Sequence, residues 1–410
     1  MLQLPALLLS QTPLSARQTA WLKRHYGWLL GALWLLMQVA LLWKHGGPRH
    51  VNDSNRYIIY ATQIAEQWFF EHDHNLRYVG YPFYCSLWLA LGWGEWGIVL
   101  GQMLVAGAAA WAFHQALLHL TGRALVAGGA TALLLGWFDT QNLNAYVLTE
   151  SLFTSGIILC FWAFTKARNR WGIIRLVLLA LGTALLRPNG FLVPLALLIG
   201  AGWQWRRWLL GPACRPWLAL VVLAAAPVVW VVLNKLLLTF TLVETYLRGE
   251  IIYAYTAWTL QPREPLQLPP PGLSPVLRLG YFVLHNPVYV TKLALLKGGL
   301  FFSYVKSYYS FGHVLAVVLV IYPCYWLAWV GSRAEEFAVG VRTFLVAVVA
   351  LQGFIVMLTV EDWDVRFLIP VLPCIFALAA LGAATLLARF GEGPPRTARP
   401  ESLPEPSPGL

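Results

Sequence analysis

The sequence is poor in charge: Asp, Glu, Lys and Arg make up 11% of its 410 residues, while 59% of the residues are hydrophobic. A soluble domain usually carries about a quarter charged residues. The shortage therefore argues against an ordinary water-soluble domain. Apolar runs of roughly 20 residues recur along most of the chain, a pattern typical of transmembrane helices. We expect an all-α polytopic membrane protein.

The motifs of several common chemistries are also missing. The five cysteines stand singly, without a CxxC pair, which argues against a disulfide framework or a zinc site. There is no GxxxxGK(S/T), HExxH or GxSxG motif, and no GxGxxG follows a predicted strand. His72 and His74 lie close in sequence, but no third ligand is placed near them, so a solvated loop is favoured over a metal site. No metal and no cofactor are predicted.

The basic residues indicate how the chain crosses the membrane. The net charge of +11 comes from Lys and Arg beside apolar runs rather than from one basic face, so no nucleic-acid partner is expected. About ten spans are predicted. The positive-inside rule then makes both termini cytoplasmic, in a multi-pass protein of a bacterial inner membrane. Most acidic residues fall on the outer side, and we expect the active site there.

Residues 1–390 are predicted to form one transmembrane unit. Its two long external segments, 44–95 and 239–310, are each expected to carry interfacial helices, in contact with membrane lipids. The Pro-rich residues 391–410 are predicted to form a disordered cytoplasmic tail.

The first external segment contains an amphipathic pattern. Tyr57, Ala61, Ile64 and Trp68 recur at helical spacing, with polar residues filling the opposite face. This spacing predicts a helix that lies in the membrane interface rather than crossing it. Asp53 stands just before the pattern.

Isolated charges recur at the predicted outer mouths of the spans. Charges at the edge of a bilayer are costly, so they usually pair with one another or serve a site. Taken singly, Asp53 and Glu150 are explained equally well as helix caps, and Arg187 as an interfacial anchor. Their convergence on one face favours a common site. The residues considered are Asp53, Arg77, Asp139, Glu150, Arg187, Asp364 and Arg366.

Six segments resemble, in order, motifs of the GT-C superfamily of membrane glycosyltransferases. Asp53, Tyr57 and the interfacial helix resemble the first external loop of that superfamily. RYVGYPFYCSLW resembles the aromatic–Pro segment of the lipid A aminoarabinose transferases and protein O-mannosyltransferases, and YVLTESLF resembles their second acidic motif. LLRPNGFLVPL, HNPVYVTKLALLKG and DVRFLIPVLP resemble later motifs. The resemblance covers about residues 20–390.

The resemblance implies a GT-C-like fold and the transfer of a sugar from a polyprenyl-phosphate carrier to a lipid, glycan or protein acceptor. It implies that Asp53 is the catalytic base or its close partner, and that Glu150 holds the acceptor or the sugar. Arg187 and Arg366 would bind the donor phosphate. One displacement with one base predicts inversion at the anomeric carbon. The other residues expected to bind substrate are Tyr57, Arg77, Tyr81 and Asp139.

Three positions depart from the pattern of this superfamily. Gly80 and Tyr81 stand where the aminoarabinose transferases carry an acid and a lysine, and Gln102 stands where many relatives have an arginine. Two other functions stay open. A transporter or flippase of lipid-linked glycans would use the same charges to escort a headgroup. A glycan polymerase or ligase would rely on external arginines and a histidine, for which His285 is the candidate.

Overall fold

A computed structural model describes residues 16–71, 75–212, 214–239, 242–253, 255–362 and 364–390. Within these ranges the regular structure is helical and contains no strand, which confirms the expectation of an all-α protein. The predicted tail at 391–410 lies outside the described residues, as do His72 and His74.

Eighteen α-helices follow one another along the described ranges. They are α1 (Ala16–His45), α2 (Asn52–Gln67), α3 (Gly80–Ala90), α4 (Gly94–Thr121), α5 (Ala124–Gly136), α6 (Phe138–Asn142), α7 (Thr149–Lys166), α8 (Arg170–Ala184), α9 (Leu192–Gln204), α10 (Arg206–Leu209), α11 (Arg215–Thr239), α12 (Leu242–Leu247), α13 (Pro275–His285), α14 (Pro287–Ser303), α15 (Phe311–Ala316), α16 (Tyr322–Ser332), α17 (Val339–Leu358) and α18 (Leu372–Arg389). A π-helical turn, Val317–Ile321, joins α15 to α16.

Six helical segments among the described residues are long and apolar enough to cross a membrane. They are His25–His45, Gly94–Thr121, Arg215–Lys235, Phe311–Ser332, Val339–Leu358 and Ile369–Arg389. The helices α5 and α9 are apolar but have 13 residues each, so each is only about 20 Å long, against a hydrocarbon core of about 30 Å. The expectation of membrane helices is confirmed, with six such segments where about ten were predicted.

The helix α18 lies in the interior of the bundle, and most of its side chains are buried. It crosses α16 at Gly331 and Gly382. A Cβ atom on Gly382 would overlap the Leu327 carbonyl oxygen, and one on Gly331 would overlap that of Leu378. Close backbone approach at small residues is the usual way in which helices pack where the surrounding solvent is lipid.

The outside of the bundle is apolar. Trp28 on α1, Leu178 on α8 and Leu223 on α11 are all at least 65% exposed. Side chains of this kind are stable on the surface of a helix when lipid rather than water surrounds it.

A pair of backbone hydrogen bonds, which we call a clasp, fixes the segment that precedes α2. The Arg49 N–H donates to the Ala145 carbonyl at 2.8 Å, and the Val147 N–H donates to the Arg49 carbonyl at 3.0 Å. The clasp ties the chain just before Asp53 to the chain just before Glu150. The two carboxylates are thereby brought to the same end of the bundle.

The segment 239–310 carries α12, α13 and α14 and has a small core of its own. A second clasp joins this segment to the turn after α17. The Glu361 N–H donates to the Ile251 carbonyl at 3.0 Å, and the Tyr253 N–H donates to the Glu361 carbonyl at 2.9 Å. The clasp therefore anchors this long segment beside Arg366. The core residues are Val243, Tyr246, Ile251, Ile252, Phe282, Val290, Leu293 and Leu300.

Candidate functional site

Asp53 lies in the first turn of α2, but the side chain that caps this helix belongs to its neighbour. Ser54 Oγ accepts a hydrogen bond from the Val51 N–H at 3.0 Å. The Asp53 carboxylate instead accepts one from Arg366 Nη1 at 2.9 Å, with 44% of its side chain exposed. A cap made by Ser54 leaves Asp53 available for another role.

Glu150 opens α7 and is fully buried. Its Oε1 accepts a hydrogen bond from Arg366 Nε and lies 3.3 Å from Arg187 Nη1. Its Oε2 accepts from Thr149 Oγ1 at 3.3 Å. Two guanidinium groups thus converge on one buried carboxylate. We call Asp53, Glu150, Arg187 and Arg366 the ionic cluster.

Arg187 sits in the turn between α8 and α9, where its guanidinium lies 5.6 Å from the ring centres of both Phe153 and Phe367. The side chain is 7% exposed, and its Nη1 is buried without a hydrogen bond of acceptable geometry. Its charge is paired with Glu150, and an anionic ligand would add the hydrogen bond that Nη1 lacks.

Tyr57 and Tyr81 form an aromatic layer beside the ionic cluster. Their rings meet edge to face at 5.1 Å. Burial and the nearby charges of Glu150 and Asp53 raise the pKa of Tyr57, so its hydroxyl is neutral at physiological pH. Tyr81 is fully buried, and its hydroxyl donates to Gln102 Oε1 at 2.7 Å. That internal bond joins Tyr81 and Gln102, two of the three positions that depart from the superfamily pattern.

The other two predicted binding residues lie outside the ionic cluster. Arg77, in a short 3₁₀ turn, donates from Nη2 to the Lys235 carbonyl at the end of α11, at 3.0 Å. Asp139, on α6, accepts from the Tyr304 hydroxyl at 2.8 Å and lies 3.4 Å from His313 Nε2. Sequence reasoning did not identify His313, since nothing in its local sequence sets it apart.

Asp364 connects the ionic cluster with the Asp139 group. It carries an exposed side chain in the turn that precedes Arg366. The pKa of Asp364 is raised to about 6 by partial desolvation and by the like charges of Asp362 and Asp139. The positive charges of Arg366 and His313 lower this pKa and oppose the rise. Asp364 thus interacts electrostatically with both groups of charged residues, which we together call the polar region.

A buried ion pair supports this region from the side of α14. Lys306 Nζ lies 3.3 Å from Glu361 Oε1, and both side chains are fully buried. Burial raises the pKa of Glu361 to about 7, which the neighbouring Lys306 charge opposes. The nearby Lys297 Nζ donates to the Thr359 carbonyl at 2.5 Å. Neither lysine was identified from the sequence.

Over the described ranges there is no group of three or more His, Cys, Asp or Glu side chains arranged to hold a metal ion. Two cavities are apolar and lie away from the ionic cluster. One of about 570 Å³ runs along α14 between Pro287 and Leu296. One of about 260 Å³ lies among α1, α4 and α5, beside Trp34 and Trp111.

His285 takes no part in the polar region just described. It is exposed at the end of α13, stacks on Tyr281 at 3.7 Å and shares a hydrogen bond with the Tyr281 carbonyl.

The fold and the site define a helical membrane protein with a partly buried cluster of carboxylates and arginines at one end of its helices. When the chain is compared with protein-family models, with curated proteins and with solved structures, none of them matches it.

Proposed function

We propose that this protein is a membrane glycosyltransferase of the GT-C type, which moves a sugar from a polyprenyl-phosphate carrier to an acceptor outside the cytoplasm. The observation that carries the proposal is the ionic cluster, in which two arginines and two carboxylates meet at the end of the bundle. A phosphodiester at headgroup depth requires fixed cationic donors, and an attacking hydroxyl requires a base.

The ionic cluster can divide these tasks. Arg187 and Arg366 bind the donor phosphate and stabilise the charge that develops on it as the sugar–phosphate bond breaks. Glu150 holds both guanidinium groups in place, since it contacts both and is fully buried. Asp53 is the partly exposed carboxylate, and it accepts the proton of the attacking acceptor hydroxyl.

The proposed step is a single in-line displacement. The acceptor oxygen attacks the anomeric carbon, and its proton passes to the Asp53 carboxylate. The bond from the anomeric carbon to the phosphate oxygen breaks, and its electron pair stays on polyprenyl phosphate. One displacement inverts the anomeric centre. No metal ion takes part in this step.

The proposed topology has more membrane segments than the six long apolar helices. The helices α5, α7, α8 and α9 complete a set of about ten membrane segments, with α8 and α9 as a short pair around Arg187. Both termini are cytoplasmic, and the ionic cluster faces outward in a bacterial inner membrane. The helix α2 lies at the interface, where it holds Asp53 at the depth of the lipid phosphate.

The test is a mass profile of envelope glycolipids, glycans and glycoproteins from a deletion strain. The strain is complemented with the wild type, with Asp53→Asn or with Glu66→Gln. Glu66 is an exposed acid on the same helix and serves as the matched control. We expect one sugar to disappear in the deletion strain and to return with the wild type and Glu66→Gln, but not with Asp53→Asn.

Three results would contradict the proposal. Full restoration of the sugar by Asp53→Asn at equal expression would show that Asp53 is not the catalytic base. Loss of whole glycans from the envelope, with their precursors retained at the cytoplasmic face, would favour a flippase. A change in glycan chain length alone would favour a polymerase.

A further inference from the structure

A row of aromatic rings leads from the segment 239–310 to the polar region. Tyr255 lies 5.9 Å from Tyr308, Tyr308 lies 5.4 Å from Tyr309, and Tyr309 stacks on His313 at 4.3 Å, all between ring centres. We call these four residues the aromatic row. Tyr255 is 39% exposed and Tyr308 is 41% exposed. The outer half of the row therefore presents ring surface to a ligand.

The inner end of the aromatic row is held by Asp139. His313 Nε2 faces the Asp139 carboxylate at 3.4 Å, and the Tyr304 hydroxyl binds the same carboxylate oxygen. Trp137 Nε1 donates to that hydroxyl at 2.8 Å. When the ring is neutral, a carboxylate beside one ring nitrogen favours the tautomer with its proton there, and Nδ1 of His313 is then an acceptor.

The charge around the aromatic row is mostly negative. Asp364 interacts electrostatically with Tyr308 and Tyr309, and its own charged neighbours are Asp362, Asp139, Arg366 and His313. Lys306 also acts on Asp364, but it is paired with Glu361. The three remaining carboxylates outnumber Arg366 and His313. A second phosphate group would be repelled there, whereas neutral hydroxyl groups would donate hydrogen bonds to the carboxylates.

We propose that the aromatic row and the carboxylates beside it form the acceptor subsite, and that the acceptor is a neutral glycan rather than a phosphorylated lipid. The proposal rests on the transferase function above and names its acceptor class. Sugar rings lay their C–H faces on exposed aromatic rings, and their hydroxyl groups bind Asp139, Asp364 and His313 Nδ1. The chain of sugars runs outward along Tyr308 and Tyr255.

The subsite complements the donor site in charge. The phosphate binds where Arg187 and Arg366 lie, and the glycan binds on the far side of Asp364. Arg366 binds Asp53 directly and interacts electrostatically with Asp364. Acceptor and donor are therefore recognised by different residues, and substitutions can separate their binding.

The experiment measures the two ligands separately on the full-length protein in lipid nanodiscs. One probe is radiolabelled undecaprenyl phosphate. The other is the glycan fraction from the envelope of a deletion strain, labelled fluorescently at its reducing ends. The variants are Tyr308→Ala, Tyr308→Phe and His313→Ala. Tyr308→Phe is the matched control, because it keeps the ring and removes only the hydroxyl.

We expect Tyr308→Ala to weaken glycan binding about fivefold, which corresponds to about 1 kcal/mol of lost ring contact. His313→Ala weakens it as well, Tyr308→Phe stays near the wild type, and undecaprenyl phosphate binding is unchanged in all three. In transfer assays the same loss raises the KM for glycan and leaves kcat near that of the wild type.

Two results would overturn the acceptor assignment: glycan binding that is equal in Tyr308→Ala and the wild type, or transfer of the sugar to protein or to a phosphorylated lipid. A different result would contradict the transferase function itself: the wild-type protein would not bind undecaprenyl phosphate. Glycan binding and its dependence on Tyr308 are measured independently of that result.

Discussion

Glu150 and Arg366 lie 216 positions apart in the chain and form a hydrogen-bonded ion pair at the end of the helical bundle. Glu150 is fully buried, and Arg366 reaches from it to the partly exposed Asp53. The guanidinium thus joins a buried carboxylate to one that solvent and substrates can reach. A planar group with several fixed donors suits this bridging position better than an ammonium group does.

Arg366→Lys should abolish most of the transfer activity, because one ammonium group cannot hold Asp53, Glu150 and a phosphate in the same geometry. We expect a fall of about 100-fold in the rate of sugar transfer, measured with membranes of the deletion strain. Arg333→Lys is the control, since Arg333 is exposed and contacts only the face of Trp329 among the aromatic rings. Equal rates of sugar transfer for the two variants would show that Arg366 has no special role in the reaction.

Glu150→Gln should destabilise the fold as well as reduce activity. The substitution leaves the guanidinium groups of Arg187 and Arg366 without their buried counter-charge. Removing one partner of a buried ion pair costs about 3–5 kcal/mol of free energy of unfolding. The measurement is the midpoint of thermal unfolding in detergent, with Glu66→Gln as the exposed control. An unchanged midpoint would mean that these charges are solvated in the folded protein.

Asp364 should make activity and stability respond to pH in opposite directions. Its pKa is raised to about 6, from an ordinary value of about 3.9. Glycan transfer should fall as the pH drops through about 6, because protonation removes a hydrogen-bond acceptor. Over the same range stability should rise, since the folded state binds this proton more tightly than the unfolded state.

The Asp364→Asn variant tests this pH dependence. It should show lower transfer near neutral pH and lack the activity slope near pH 6. Its stability slope should be smaller than that of the wild type, and the remainder comes from Glu361, whose pKa is raised to about 7. Transfer rates and unfolding midpoints at each pH give the two profiles. A wild-type profile with no change near pH 6 would contradict the assignment to Asp364.

Gly382→Val should prevent α18 from packing on α16, since its side chain would enter the backbone of Leu327. Overpacking in a core costs about 1–3 kcal/mol, and a clash with rigid backbone belongs at the upper end of that range. Gly299→Val on α14 is the control, because the space around the Cβ position of Gly299 is open. Size-exclusion profiles and unfolding midpoints of the two variants should differ clearly.

The charged site could be anticipated because charge is rare in this chain. In an apolar sequence each acid or arginine near the end of a span is conspicuous, and Asp53, Glu150, Arg187 and Arg366 were selected on that ground. The structure brings these four together, while their catalytic roles stay predictions. Tyr81 is predicted through the resemblance rather than through charge, and its hydroxyl is bound to Gln102 inside the bundle.

The residues that sequence reasoning missed have partners far away in the chain. Lys306 pairs with Glu361, 55 positions later, and Tyr304 binds Asp139, 165 positions earlier. Neither pair leaves a periodic or local signal. The row that ends at His313 likewise depends on how the segment 239–310 folds back onto the bundle.

The sequence by itself determined that the chain is helical and membrane-embedded, because apolar length and the scarcity of charge follow from the cost of burying polar groups in lipid. It also determined which few charges are available for chemistry. Only the tertiary structure decided which of them meet. The clasp at Arg49 brings Asp53 to Glu150, and the clasp at Glu361 anchors the segment 239–310 beside Arg366. Such contacts depend on backbone hydrogen bonds between distant segments, and these carry no signature in the local order of residues.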